Sequence, residues 1–219
     1  MRRKVLKMGE RLFPLEFTPQ CHQLRWLVDH LAGWQFGEQG LIDAIADKLA
    51  ITKGTVIEYG AGDGENLPVT LSRFHRRLGM ASIYVEIEEA KRVALQQQYP
   101  LAAVVRDISW DVFHDARPAI VVIDIDGSDS VVMREMLQAG VRPALLVVEH
   151  FDNHYPIGTS TPDPFPQWAL GLTLSEGHVI QDTAETLQAI AAKFGYERIG
   201  WNRCNSFFVR RELYTTLFR

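Results

Sequence analysis

Apolar runs and helical apolar spacing alternate along the chain between residues 55 and 149. The runs are continuous rather than broken by a polar residue at every second position, which is typical of parallel strands covered on both faces. They predict strands at 55–59, 82–87, 102–106, 119–125 and 144–149. Helical spacing between the strands predicts helices at 66–78, 88–99 and 130–139. This alternation predicts an α/β fold built from right-handed strand–helix–strand units.

The two flanks of this region carry different patterns. Residues 19–49 have apolar positions at helical spacing, which predicts an N-terminal helical extension within residues 1–50. Beyond residue 183 the pattern predicts one more helix at 184–194, which Gly195 ends as its C-cap. It also predicts two more strands, at 196–201 and 206–211. We therefore expect a Rossmann-like, doubly wound, mostly parallel sheet of seven strands over residues 55–211, closed by an antiparallel C-terminal strand pair.

The segment 151–183 has neither pattern. Residues 150–167 hold four of the ten prolines of the chain, so we predict a long loop or lid there. The sequence has no internal repeat and no low-complexity segment, and its length suits a single domain over residues 1–219.

Composition narrows the class of protein. The 219 residues are 47% hydrophobic and 23% charged, which is ordinary for a globular protein. The net charge of −4 argues against nucleic-acid binding, and no apolar run is long enough for a membrane span. Residues 1–7 are basic without an apolar stretch, so we interpret them as a solvated tail or first helical turn; a contact with phosphate or a membrane surface is the alternative. Cys21 and Cys204 lack metal-ligand spacing, which favours a reduced, cytoplasmic chain.

The sequence IEYGAGDG at 57–64 is the strongest sign of a ligand site. An apolar strand ends in Glu58, and glycines then occupy positions 60, 62 and 64. Glycine allows positive φ and a close approach of the backbone to a ligand. A helix that starts just after this turn directs its N-terminal N–H groups into the same space. We therefore predict a loop that binds a nucleotide-like cofactor.

Each of the five predicted parallel strands ends in a carboxylate. Ligands of open parallel sheets bind outside the carboxyl ends of the strands, where these acids would meet: Glu58, Glu86, Asp107, Asp124 with Asp126, and Glu149. Glu86 has the position of an acid that binds a ribose diol, or it caps the next helix. Asp107 with Ile108 could contact an adenine, or Asp107 could cap the turn at 109–113. Because no basic cluster follows the glycines, a cofactor made of adenosine and an amino acid fits better than a polyphosphate.

Several segments together resemble class I S-adenosylmethionine-dependent methyltransferases, and among these the FkbM-type family. The segments are FGEQGLI at 36–42, IEYGAGDG at 57–64, IDIDGSD at 123–129, ALLVVE at 144–149, FGY at 194–196 and NSFFV at 205–209. The resemblance covers about residues 36–211. It implies the class I methyltransferase fold and methyl transfer to oxygen, often on sugars, glycans or secondary metabolites. The substrate contacts are expected in the segment 151–183, which matches nothing in that family that we can place.

The resemblance also implies roles for individual residues. The residues that would hold the methionine part of S-adenosylmethionine are Glu58, Gly60, Ala61, Gly62, Asp63 and Gly64. Glu86 would bind the ribose, and Asp107 with Ile108 would bind the adenine. Asp124 would lie where this fold places residues that face the methyl donor.

Methyl transfer to a hydroxyl requires a group that takes the proton of the acceptor. We expect His150 to do so, because an imidazole titrates near neutral pH; the alternative is an ordinary surface histidine. The other candidates are Asp124, Asp126, Glu149, Asp152 and His154. Asp124, Asp126 and Glu149 could instead bind a divalent cation that lowers the pKa of the hydroxyl, or accept hydrogen bonds from loop N–H groups.

The acceptor is expected to be a small molecule or a carbohydrate. Tyr155 and Trp168 could stack on a sugar ring, or they could anchor the proline-rich segment to the core. One rival function is a non-catalytic domain that binds S-adenosylmethionine, another small molecule or a partner. The other is a nucleic-acid methyltransferase, which the net charge disfavours, as does the absence of an Asn/Asp-Pro-Pro-Tyr/Phe tetrapeptide.

Overall fold

A seven-stranded sheet lies at the centre of the protein. The computed structural model describes residues 5–8, 11–14, 38–64, 74, 78–107, 117–125, 129–150, 183–201 and 205–218. The central strands are β3 (Thr55–Tyr59), β4 (Ala81–Val85), β5 (Ala103–Val105), β6 (Pro118–Ile123), β7 (Leu145–Glu149), β8 (Tyr196–Trp201) and β9 (Asn205–Arg210). A separate two-stranded sheet is formed by β1 (Val5–Met8) and β2 (Arg11–Pro14).

Five α-helices are described: α1 (Glu38–Lys48), α2 (Glu89–Gln98), α3 (Asp129–Gln138), α4 (Ala184–Lys193) and α5 (Arg211–Tyr214). A 3₁₀ turn, Thr215–Phe218, follows α5. The start of α4 shows how the sequence sets an element, because the Thr183 side chain accepts a hydrogen bond from the Thr186 N–H at 3.2 Å. Within the ranges given above, no helix has the length and apolar character needed to cross a membrane.

The strand order confirms the predicted fold class. The order is β5-β4-β3-β6-β7-β9-β8, and only β9 runs against its neighbours, antiparallel to both β7 and β8. The chain moves outward in one direction from β3 and in the other direction from β6. The carboxyl ends of β3 and β6 therefore flank the crevice in which this type of sheet binds ligands.

Most of the elements predicted between residues 55 and 211 that are described lie within one or two residues of their predicted bounds. Two of the differences matter for the site. Because β4 ends at Val85 and β6 at Ile123, Glu86 and Asp124 follow their strands instead of lying in them. The predicted helix at 66–78 and the predicted loop up to residue 182 fall largely or wholly outside the described residues.

The segment 5–14 differs from the expectation of a solvated tail or helical turn. Val5 pairs with Pro14, and Met8 pairs with Arg11, in an antiparallel ladder. Two short runs, VLKM and RLFP, flank a Gly-Glu pair in the sequence, and such an arrangement is a hairpin signal. The interpretation of residues 5–7 as tail or helix was therefore wrong. Of the predicted N-terminal helical region, Glu38–Lys48 is the part described as a helix.

The two faces of the central sheet carry separate parts of the core, because alternate residues of a strand point to opposite faces. On one face, Val56 and Val147 belong to the cluster that includes the apolar residues of α1. On the other face, Ile57 and Val148 pack with residues of α3 and α4. We call these the α1 face and the α3/α4 face. The parity of a residue at a strand end decides which face its side chain joins.

Candidate functional site

A cavity of about 770 Å³ lies over the carboxyl ends of the central strands. Its lining comes from the loop after β3, the residues after β4, β5 and β6, the end of β7, and the first residues of α1 and β9. This volume is within the range of about 300–1,000 Å³ that is usual for small-molecule sites. The cavity also lies at the point where the strand order reverses, as expected for a doubly wound sheet.

The loop after β3 is held by backbone hydrogen bonds on both sides. The N–H groups of Gly60 and Ala61 donate to the Val85 carbonyl at 2.9 and 3.3 Å, and the Asp124 N–H donates to the Tyr59 carbonyl at 3.1 Å. Gly60 has a φ of 76°, and a Cβ there would lie 1.6 Å from the carbonyl oxygen of Asp124. The close approach of the chain after β6 therefore demands glycine at this position.

Glu86 fixes the same loop from the neighbouring strand. Its buried carboxylate accepts hydrogen bonds from the Gly62 N–H at 3.0 Å and from the Glu88 N–H at 2.9 Å, one at each oxygen. Glu88 is the N-cap residue of α2, so the second bond is made directly before this helix. This position is close to the alternative role that the sequence analysis gave Glu86, which was to cap the next helix. Each oxygen retains capacity for a further hydrogen bond, and Glu86 lines the cavity, so the geometry also suits diol binding.

The outer part of the cavity combines an apolar side chain with charged ones. Ile87 lines the cavity and leaves 71% of its surface exposed. Asp107 lines the cavity after β5. The Lys91 ammonium donates a hydrogen bond to Glu88, and this bond, together with the negative charge of Glu86, raises the pKa of Lys91. Ile87 was not predicted as a site residue. The feature of the sequence that could have indicated it is its position directly after Glu86, the acid that follows β4.

The α1 face delivers a second set of polar side chains to the cavity. Glu58 and Glu149 lie on this face, and Glu149 pairs in register with Asn205 of β9. The Asn205 side-chain amide donates a hydrogen bond to Glu38 at 3.3 Å, and both side chains are buried. Neither Glu38 nor Asn205 was predicted as a site residue. They are 167 positions apart, and only the fold brings them together.

His150 directly follows Glu149 and joins the opposite, α3/α4 face. Its side chain is 1% exposed, its Nδ1 lies 3.2 Å from Ser206 Oγ, and it is not among the described residues that line the cavity. Burial, helped by the positive charge of Arg198, lowers the pKa of His150 to about 4. The expectation that His150 titrates near neutral pH and takes the acceptor proton is therefore not supported.

Most of the predicted cofactor residues surround the cavity. Those that line it are Glu58, Gly60, Ala61, Gly62, Glu86, Asp107 and Asp124. Asp63 and Gly64 belong to the same loop but not to the lining. Gly64 packs towards α2, where an added Cβ would lie 2.4 Å from Gln98 Oε1. The predicted residues outside the described part of the chain are Ile108, Asp126, Asp152, His154, Tyr155 and Trp168.

The lining is strongly acidic. Its described carboxylates are Glu38, Glu58, Glu86, Glu88, Asp107, Asp124 and Glu149, and its described basic side chains are Lys91 and Arg106. A cavity with this balance attracts cations, because its low-dielectric walls strengthen electrostatic interactions. Within the residues that can be described, no group of three or more His, Cys, Asp or Glu side chains could hold a metal ion. The metal site predicted from Asp124, Asp126 and Glu149 has no support among the described residues, and because Asp126 lies outside them it stays a prediction.

Solved structures with a TM-score of 0.50 or more share the fold of this chain. The sugar N-methyltransferase KedS8 from Streptoalloteichus sp. has a TM-score of 0.53 at 14% identity, over 80% of this chain and 87% of that chain. DesVI from Streptomyces venezuelae has a TM-score of 0.50 at 14% identity, over 79% and 90% of the two chains. For the cyclopropane synthase MmaA2 from Mycobacterium tuberculosis the TM-score is 0.46 at 14% identity, over 77% of this chain, and this chain spans 65% of the length of that one.

No protein-family model matches the chain, and no curated protein matches it in sequence. Membership of the FkbM-type family therefore remains a prediction. A coarser conclusion follows from the strand order, from the glycine loop at the point where that order reverses, and from the likeness to solved structures. The chain has the fold of class I S-adenosylmethionine-dependent methyltransferases.

Proposed function

We propose that the protein binds S-adenosylmethionine in this cavity and transfers its methyl group to a small-molecule acceptor, at a hydroxyl of a sugar or a related compound. The observation that carries the proposal is the glycine loop at the strand-order reversal, held open to the cavity by Glu86. The sugar N-methyltransferase with the same fold gives support to the reaction class only.

The residues present fit this cofactor. When bound, S-adenosylmethionine supplies an electrophilic methyl group on a positively charged sulfur. Ala61 and Gly62 bring the backbone of the loop to the cavity wall, and Glu86 presents a buried carboxylate beside them. Ile87 offers an apolar surface next to this carboxylate, which suits the face of an adenine ring. The excess of carboxylates suits a ligand that carries both a sulfonium and an ammonium group.

A hydroxyl acceptor must lose its proton as its oxygen takes the methyl group. We propose that the carboxylate of Asp124 or of Glu149 accepts this proton, because both side chains line the cavity. His150 is given no part in the transfer, because it lies on the other face of the sheet. The remaining contribution of the protein is to hold the acceptor oxygen in line with the methyl group at near-attack distance.

Thermal melting with S-adenosylmethionine and S-adenosylhomocysteine tests the cofactor. A ligand at 100 times its dissociation constant adds about 2.7 kcal/mol to the free energy of unfolding, so a clear upward shift in melting temperature is expected. NAD and ATP serve as controls and should give no comparable shift, because the loop lacks the basic residues that a polyphosphate needs. A folded protein without a shift at millimolar S-adenosylhomocysteine would contradict the proposal.

Transfer itself needs a separate measurement. Incubation with methyl-labelled S-adenosylmethionine and a panel of sugars and other hydroxyl compounds should give a labelled product together with S-adenosylhomocysteine. Cofactor binding without any labelled product across the panel would favour the rival function, a non-catalytic binding domain.

A further inference from the structure

We infer that the acceptor carries a short aliphatic group, such as a methyl or ethyl group, which packs in an apolar recess of the cavity next to α1. Ile42 of α1, Val122 of β6 and Val147 of β7 all line the cavity, and we call the surface that they form the apolar recess. The inference rests on the proposed function, because it concerns the acceptor of the proposed methyl transfer. It narrows that acceptor to compounds with an apolar end.

Strand pairing places the two valines of the recess side by side. Val122 and Val147 are partners in the parallel ladder of β6 and β7, so their side chains point to the same face of the sheet. This is the α1 face, since both valines belong to the core cluster that includes Ile42. The recess therefore combines two neighbouring strands with the helix on that face, and none of its three side chains has a polar atom.

Burial makes the recess shallow and gives it a fixed shape. Ile42 and Val147 are each 1% exposed and Val122 is 5% exposed, so most of each side chain is packed in the core and only a small part borders the cavity. All three are β-branched and have few rotamers, and close packing in the core holds them in place. Such a surface suits a methyl or ethyl group better than a long alkyl chain.

The recess lies close to one of the carboxylates proposed to accept the proton. Val147 and Glu149 are two residues apart in β7, so they share the α1 face, and their Cα atoms are about 6–7 Å apart along the strand. Both residues line the cavity. An acceptor with its reacting hydroxyl near Glu149 and an apolar group against Val147 would have these two groups only a few bonds apart. We therefore expect the aliphatic group on a carbon near the reacting hydroxyl.

The recess should disfavour a hydroxyl in place of the aliphatic group. A methyl group that packs there leaves water, which is favourable. A hydroxyl in the same position would lose its hydrogen bonds to water, and the side chains of the recess can offer none in return. An apolar pocket discriminates by up to about 100-fold between compounds of the same shape that differ by one hydroxyl.

The test measures binding to the protein loaded with S-adenosylhomocysteine, by NMR of labelled isoleucine and valine methyl groups at pH 7. The probes are two matched pairs, L-fucose with L-galactose and propylene glycol with glycerol. In each pair the second compound has a hydroxyl on the carbon that is the terminal methyl group of the first. In at least one pair the methyl compound should bind about tenfold or more tightly than its partner.

The same titration locates the bound compound. The methyl compound should shift the signals of Val122 and Val147 but not those of Val121 and Val148, which lie on the other face of the same strands. Equal binding within both pairs, no binding by either methyl compound, or signal changes confined to the other face would overturn the inference.

Val147→Thr isolates the polarity of the recess, because threonine has nearly the shape of valine and adds a hydroxyl. Its preference for the methyl compound should fall below about threefold, while its melting shift with S-adenosylhomocysteine stays that of the parent protein. The matched control is Val148→Thr, the same change at the next residue of β7 on the opposite face, and its preference should be unchanged. An unchanged preference in Val147→Thr, or an equal loss in both variants, would also overturn the inference. If Val147→Thr does not fold, the titration of the parent protein decides.

The two proposals fail in different ways. If S-adenosylhomocysteine does not bind the parent protein, the proposed function fails before any acceptor is tested. If it binds and the methyl compounds show no advantage, the inference about the acceptor fails alone.

Discussion

At Gly60 the glycine loop passes close to the chain that follows β6. A methyl group there would meet the Asp124 carbonyl oxygen at 1.6 Å, and the φ of 76° is itself unfavourable for other residues. Gly60→Ala should therefore lower the free energy of unfolding by at least about 3 kcal/mol, from backbone strain and steric overlap together. Urea denaturation measures this loss.

The matched control for this variant is Gly79→Ala. Gly79 has a similar φ of 64°, but a Cβ there would have no atom within 4 Å. Only the backbone cost of about 1–2 kcal/mol is expected. Equal losses in the two variants would show that the contact with Asp124 does not constrain the loop.

His150 should make stability depend on pH. The folded pKa is about 4, below the ordinary value of 6.5, so between these values only the unfolded chain binds a proton. Stability is therefore full above about pH 6.5 and falls as the pH drops towards 4, by up to about 3 kcal/mol. His150→Asn keeps an amide near Ser206 and should flatten this part of the pH profile, as urea midpoints at pH 4.5 to 7.5 would show.

The same variant also bears on catalysis. Because His150 lies outside the cavity lining, His150→Asn should keep most of the proposed methyl transfer activity at pH 7.5. A loss of several orders of magnitude, with cofactor binding intact, would restore the role of proton acceptor that the sequence suggested.

The contrast between Glu149 and His150 shows what could be predicted at the scale of residues. Both are polar and both follow the same apolar run, so the sequence predicts that this strand ends in a polar site. Parity places Glu149 on the α1 face, where it lines the cavity, and His150 on the α3/α4 face, where it contacts Ser206 instead. The elements that cover each face at this strand end come from distant parts of the chain, so a local pattern does not reveal them.

At the scale of elements, Glu86 connects two strand–helix units. Its carboxylate accepts one hydrogen bond from the glycine loop after β3 and one from the turn that leads into α2. Glu86→Gln replaces one acceptor oxygen by a donor and breaks one of these bonds. Affinity for S-adenosylhomocysteine should fall at least about tenfold, because a hydrogen bond to a charged group contributes about 1.5–3 kcal/mol.

Titration calorimetry measures this change, and Glu89→Gln is its control. Glu89 is an exposed acid in the first turn of α2 and does not line the cavity, so the control should bind like the parent. If Glu86→Gln bound equally well, the link between the strands would be unnecessary for the site.

Elements with a strong local signal were predicted well. β3 and β8 have their predicted bounds, which neighbouring glycines mark: Gly54 and Gly60 border β3, and Gly195 precedes β8. The hairpin of β1 and β2 was missed because each strand has only four residues, which is too short for a period to emerge, and the basic residues suggested a tail.

For the whole molecule, the number of strands in the central sheet and the fold class followed from the sequence, but the neighbours of each strand did not. The insertion of β9 between β7 and β8 is a pairing between distant parts of the chain. It is this insertion that brings Asn205 to the cavity. The part of the cavity that is built from the consecutive units β3 to β6 was therefore predictable, whereas the part formed by Glu38 and Asn205 was not.

The hydrogen bond between Glu38 and Asn205 has a consequence for how the molecule forms its cavity. The two residues are separated by 167 positions, so nearly the entire core must be synthesised before they can meet. A chain released from the ribosome before β9 could fold its glycine loop but would lack one end of the cavity. Closing so long a loop is also entropically slow, which places this contact late on the folding path. This end of the cavity is therefore complete only when β9 has joined the sheet.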